Sequence, residues 1–280
     1  MSTSTRGRGR GKHRNGYREC PSGGRAVRRG SDCPGCGGDE IDPRRALDAA
    51  LDVAAGFPDD VDPFRVEFLI AELLAPGPAE DFGLRELFGA AAVLRFETRA
   101  TAPALGLLRG ITRLTTGELS RAAGAAADRL EVGGTTVPRW YRQLLAPVRP
   151  REFTRSAAGH QAVLMASFDR GGDIHAFAAC VDLRAGVASD ITLLAGGEAG
   201  VRRQLAGVGL PGVTQRLPLA DFRAELESAL DRRARADRTD HHLRPFTADE
   251  LQRDTTPYVL AAAVLRAHLR AVDSAPDRGE

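Results

Sequence analysis

Apolar positions run almost unbroken from residue 162 to 168, stop at Asp169-Arg170-Gly171-Gly172-Asp173, and resume from 174 to 183. The interruption has turn chemistry, with glycines supplying the positive φ that tight hairpins need, so the chain is expected to reverse there. The second run is apolar on both alternating sets, which predicts a strand covered on both faces. Arg184-Ala185-Gly186 predicts a second reversal, 189–194 a third strand, and 213–217 alternates as a fourth.

On both sides of this meander the period is helical. Asp42-Pro43 and Asp62-Pro63 each set a capping residue before one suited to a first helical turn. The first helix carries Leu47, Leu51 and Ala54 on one face. The second carries Phe64, Phe68 and Ala71 and stops at Pro76-Gly77-Pro78. Helical spacing continues near 83–98, 103–114 and 117–130, and Trp140, Tyr141, Leu144 and Leu145 make a buried helix face. Ala146-Pro147-Val148-Arg149-Pro150 breaks the helical pattern. Beyond the meander, helices are expected near 198–206 and from Asp221, with Phe222, Leu226 and Leu230 inward. A last helix is expected from about Thr247 or Thr256 to Val272, the former start having capping-box form.

The fold class expected is therefore α+β: a helical N-terminal half followed by a small antiparallel sheet, a three-stranded meander plus a fourth strand, packed with C-terminal helices. The expected organisation is a leader over 1–40, a helical module over 41–148 and an α+β module over 149–280.

Charge changes the picture only once it is located. The chain has 39 basic and 37 acidic residues, a net +2. Residues 1–30 hold nine basic groups against the single Glu19, a net +8, which leaves −6 on the remainder. The Arg/Gly/Ser-rich leader has little to bury and is expected to lack structure of its own. Arg6, Arg8, Arg10, Lys12 and Arg14 form an arm suited to following the phosphates of DNA or RNA. Behind it, Cys33-Pro34-Gly35-Cys36 has the two-residue spacing with which two thiolates grip one zinc ion. Cys20 and His13 are the candidates for the remaining ligands.

The strands carry a second, looser constellation of His160, Asp169, His175, Asp182 and Asp190. His175 and Asp182 are separated by an odd number, so in a regular strand they point to opposite faces. Asp169, Asp173 and Asp182 at strand ends are expected to accept hydrogen bonds from turn amides. His241-His242 falls in a polar connector and reads as solvated loop.

No apolar run approaches the roughly 18 residues of a membrane span, and the N-terminal stretch lacks the apolar segment of a signal peptide, so a cytoplasmic protein is expected. The block VEFLIAELL, then LRGITRL, then HAFAACVDLRAGVASD followed by strand, helix, strand and helix, resembles a recurrent group of uncharacterised proteins from high-GC bacteria over roughly residues 41–270. That resemblance implies an architecture and no catalytic residues. The sequence contains no nucleophile elbow, phosphate-binding glycine loop, Rossmann fingerprint or zinc-protease helix motif. The expected function is that of a nucleic-acid-associated accessory or regulatory protein, with a basic arm and zinc knuckle on an acidic body that binds a protein partner. The alternatives are a small metal-dependent hydrolase using the strand-end His and Asp residues, and a purely protein-interaction domain.

Overall fold

A computed structural model of the chain describes residues 17–19, 26–28, 43–74, 82–208, 213–239 and 258–273. The chain divides into two compact units, Met1–Glu40 and Ile41–Glu280. In the first, strands β1 (Tyr17–Glu19) and β2 (Ala26–Arg28) pair antiparallel with Tyr17 opposite Arg28. This short ladder was not expected of a leader so poor in apolar residues. Tyr17 and Val27, both strand formers, stand within it.

The second unit opens with helices α1 (Pro43–Ala55), α2 (Pro63–Leu74), α3 (Phe82–Arg99), α4 (Ala102–Leu114), α5 (Gly117–Val132) and the single turn α6 (Tyr141–Leu145). Strands β3 (Val148–Ala158), β4 (Gln161–Arg170), β5 (Asp173–Asp182) and β6 (Val187–Leu194) follow. Helix α7 (Gly197–Val208), strand β7 (Val213–Arg216) and helices α8 (Leu219–Thr239) and α9 (Tyr258–Asp273) complete it. The α+β class read from the pattern is the one observed. Trp140, read as core, is 3 % exposed.

The sheet has the order β6-β5-β4-β3-β7, antiparallel throughout. It has one strand more than expected. Strand β3 escapes the pattern because Thr154 and Ser156 fill two of its three buried positions, so hydrophobic alternation is absent. A bulge between Pro150 and Glu152 removes the remaining regularity. The extra residue shifts the parity, so that Val148 before it and Phe153 after it both join the large core.

That core joins the inner sides of the helices to one face of the sheet, which presents Leu164, Ala166 and Phe168 from β4 and Phe177, Ala179 and Val181 from β5. On the opposite face Val163, Met165, Ala176 and Ala178 form a smaller cluster with Val201 of α7. Strand β5 is thus covered on both sides, as its doubly apolar pattern predicts. The β4–β5 hairpin closes through Gly171 and Gly172 at φ 63° and 98°, conformations that suit glycine alone. Close helix packing also depends on glycine. A Cβ on Gly106 of α4 would lie 2.5 Å from the Trp140 ring, and one on Gly110 would lie 2.1 Å from Cδ1 of Ile70 on α2.

Candidate functional site

Four polar side chains meet inside this apolar core. Glu67 lies on α2 on the same stripe as Phe64 and Ala71. Arg170 and His175 lie at the ends of β4 and β5, and His268 lies on α9, a helix whose neighbours Val264, Leu265 and Leu269 are all buried. Arg170 follows Phe168 by two residues and His175 pairs with Phe168 across the hairpin, so strand alternation aims both side chains at the helices. Each of the four is at most 5 % exposed.

Glu67 is the hub. Its Oε1 accepts from Arg170 Nη2 at 2.5 Å and its Oε2 lies 3.0 Å from His268 Nε2. His268 Nδ1 lies 3.1 Å from His175 Nε2, which makes a chain Glu67–His268–His175. Burial alone would raise the Glu67 carboxyl, but the hydrogen bond to His268 Nε2 and the Arg170 guanidinium more than reverse it and hold it below the usual carboxylate range. With Glu67 ionised, Nε2 of His268 carries the proton and Nδ1 is the acceptor, so His175 donates through Nε2. Arg170 Nη2 also stands 2.9 Å from that same His268 nitrogen. Since both are then donors, this approach is the packing of two donors around one carboxylate.

Both imidazoles are neutral. Burial, followed by the neighbouring His268 and the charge of Arg170, pushes His175 down to about 3. Burial also lowers His268 against the pull of Glu67. Phe64 stands edge-on to His175 with centroids 4.8 Å apart, and Phe168 stacks on the same ring at 5.6 Å. The Arg170 guanidinium lies over the Phe64 ring at 5.6 Å. These rings pack against the network and lower the dielectric beside it, which strengthens its charge interactions.

Arg170 is not fully satisfied. Its Nε and Nη1 are buried and have no hydrogen-bond partner among the described residues, although a guanidinium has five N–H groups to place. Beside it lies a cavity of about 1020 Å³, large for a small-molecule site. The cavity reaches the network at Glu67, Arg170 and His268 and extends past exposed Thr116, Leu145 and Arg149. Arg113 from the end of α4, Arg149 from the start of β3 and Arg270 from α9 join Arg170 in its wall. Four guanidinium groups therefore line the cavity against one carboxylate, which Arg170 and His268 already hold.

Arg270 Nη2 donates to the Leu114 carbonyl at the end of α4 at 2.7 Å, a contact that fixes one cavity wall. Arg113 makes no ion pair among the described residues, and burial, with Arg170 nearby, disfavours its charged form while Tyr141 and Glu67 favour it. The wall between the cations is apolar, formed by Leu114, Leu145, Val148, Pro150, Ala267 and Ala271.

The residues singled out from sequence are distributed otherwise. His13, Cys20, Cys33 and Cys36, the arm residues Arg6, Arg8, Arg10, Lys12 and Arg14, and His241-His242 lie outside the described residues. His175 enters the buried network. Asp182 pairs with Gln161 at the far end of the same strand, seven residues and about 23 Å away at a strand's rise, so the two do not share a site. His160 contacts Arg184 at that far end. Asp169 accepts from the Gly172 amide at 3.0 Å and Asp182 from the Arg184 amide at 2.8 Å, two of the three expected turn caps. Asp190 accepts from the Ile191 amide at 2.8 Å. Among the described residues no group of three or more His, Cys, Asp or Glu is arranged to hold a metal ion, and Cys180 is a free, half-buried thiol. No helix among them is long and apolar enough to cross a membrane.

Sequence reasoning missed Glu67, Arg170, His268 and the cavity arginines. The available signal was a charged or imidazole side chain on an otherwise apolar stripe, as in Phe64-Glu67-Ala71. No protein-family profile, curated protein or solved structure matches this chain.

Proposed function

We propose that the body of this protein is a receptor for a small anionic ligand, held in the arginine-lined cavity. The observation that carries the reading is the charge imbalance of the wall. Four guanidinium groups line the wall with one carboxylate that is already paired, and two nitrogens of the deepest arginine have no partner among the described residues. Like charges brought together in a partly dehydrated cavity repel, and an oxyanion between them relieves that repulsion and satisfies the open donors.

Thermal melts of the full chain in chloride, sulfate, phosphate, pyrophosphate and citrate at matched ionic strength test this. At least one polyvalent oxyanion is expected to raise the melting temperature above chloride, because a ligand that binds only the folded state stabilises it. Replacing Arg113 and Arg149 by Ser should remove that increment. Equal melting temperatures in all five salts would overturn the receptor reading.

A second reading rests on the charge split of +8 over residues 1–30 against −6 elsewhere. In this reading the arm tethers an acidic, partner-binding body to DNA or RNA, and the protein is a nucleic-acid-associated regulator. Neutralising five phosphates through Arg6, Arg8, Arg10, Lys12 and Arg14 gives a log–log salt slope of about −4 on duplex DNA. Changing those five residues to Ser should flatten the slope and remove most binding, whereas binding that survives would move the contact to the body.

A further inference from the structure

Resting on the receptor reading, the geometry points to a narrower ligand class: an organic phosphate monoester whose body is apolar and non-aromatic. Three features of the cavity select it. The first is charge. With both histidines neutral, the wall carries net +3 from Arg113, Arg149, Arg170 and Arg270 against Glu67. A carboxylate brings one charge and two coplanar oxygens, which a single guanidinium fork saturates. A phosphate monoester brings about −1.5 to −2 at neutral pH and three terminal oxygens in a tetrahedral array, enough for guanidinium groups arriving from different elements. Arg113, Arg149 and Arg170 arrive from α4, β3 and β4.

The second feature is size. At about 1020 Å³ the cavity far exceeds the space of a bare phosphate ion, so a head seated against Arg170 leaves most of the volume for the rest of the ligand. The third is the chemistry of that remaining wall. Leu114, Leu145, Val148, Pro150 and Ala271 offer aliphatic surface beside the hydroxyls of Thr115 and Thr116, and the one aromatic ring in the lining, the His268 imidazole, is already held between Glu67 and His175. A nucleobase would find no Phe, Tyr or Trp to stack on there, and Glu67, the one carboxylate in the wall, is already engaged by Arg170 and His268. An aliphatic body loses nothing for lack of these and gains about fourfold in affinity for each methylene it removes from water.

Calorimetric titration of the full-length protein with hexyl phosphate, orthophosphate, adipate and adenosine monophosphate tests the assignment. Hexyl phosphate is expected to bind at least about tenfold tighter than each of the other three, an advantage that two buried methylenes suffice to supply over orthophosphate. Leu145→Asn, at a half-exposed position of the wall, should reduce hexyl phosphate toward the level of orthophosphate and leave orthophosphate unchanged, and Arg149→Ser should weaken both. Both substitutions sit at exposed positions, so melting curves will show the fold intact. Orthophosphate equal to hexyl phosphate would overturn the organic body, adipate equal to it the phosphate head, and adenosine monophosphate tighter than it the aliphatic assignment. Silence from all four would overturn the receptor reading itself. Soluble esters and phosphatidic acid share the same head, and sedimentation with phosphatidylcholine vesicles containing phosphatidic acid separates them. Capture that depends on Arg149 supports the proposal with a lipid source, and hexyl phosphate binding without capture supports it with a soluble one.

Discussion

Arg170 and Glu67 meet at 2.5 Å across 103 residues of sequence, and neither is more than 5 % exposed. Taking two charges out of water costs several kcal/mol for each ion, and their attraction offsets that only while both are present. Glu67→Gln is therefore expected to destabilise the fold by about 3–5 kcal/mol, a large part of a typical domain's stability. The double replacement Glu67→Leu with Arg170→Met removes both charges and should recover most of the loss while abolishing anion binding. Urea denaturation of the three proteins checks this, and a double variant no more stable than the single would show that the pair is not the source of the effect.

Acid should loosen the body before it reaches the usual carboxylate range. His175 titrates at about 3 in the fold against an ordinary 6.5, so below 6.5 the unfolded chain takes up a proton that the folded chain refuses. The stability it contributes is full above pH 6.5 and is lost as pH falls toward 3. His268 is shifted in the same direction, and Glu67, held below an ordinary 4.5, adds a further loss below pH 4.5. Between pH 7 and 5.5 the expected loss from His175 is about 1 kcal/mol, and His268 adds to it in the same direction. Urea midpoints across that range measure it, His175→Phe should make the dependence shallower, and a flat profile would contradict the buried neutral imidazoles.

Gly106 and Gly110 differ in what a methyl group would strike. At Gly106 the obstacle is the Trp140 ring with Pro138 beside it, and at Gly110 it is the tip of Ile70. Gly106→Ala is expected to cost about 1–3 kcal/mol despite the better helix propensity of alanine, because a packed ring has nowhere to rotate. Gly110→Ala should cost less, since Ile70 has a second rotatable bond with which to withdraw its terminal methyl. Denaturation midpoints of the two variants decide the order.

Full-length protein purified under reducing conditions is expected to hold one zinc ion through Cys33 and Cys36 with Cys20 and His13. Changing both Cys33 and Cys36 to Ser should release it, because the remaining ligands are too few to hold the ion. Metal analysis by mass spectrometry reads the stoichiometry, and zinc-free protein would reject the site. Removing residues 1–38 should leave the cooperative melting of the body unchanged, since Ile41–Glu280 is a compact unit of its own.

The amino-acid sequence by itself determines the elements and which of their faces are buried, because the helical period and the strand period are local properties of the chain. The hairpin at Gly171-Gly172, the doubly covered β5, the stripe of Phe64 and Ala71 on α2 and the buried Trp140 are all legible there. Strand β3 is not, since its inward Thr154 and Ser156 look polar until Thr214 of β7 supplies a hydroxyl partner for Ser156 at 2.7 Å. The site is not legible either. Glu67, Arg170 and His268 each read as one polar residue near apolar neighbours, and a lone charge in sequence cannot reveal whether it is solvated, paired or misplaced. Only the docking of the β4–β5 hairpin between α2 and α9 brings them within hydrogen-bond reach, across separations of 98 to 201 residues. Burial then decides their protonation, because removing water makes each charge depend on the partner that the fold supplies.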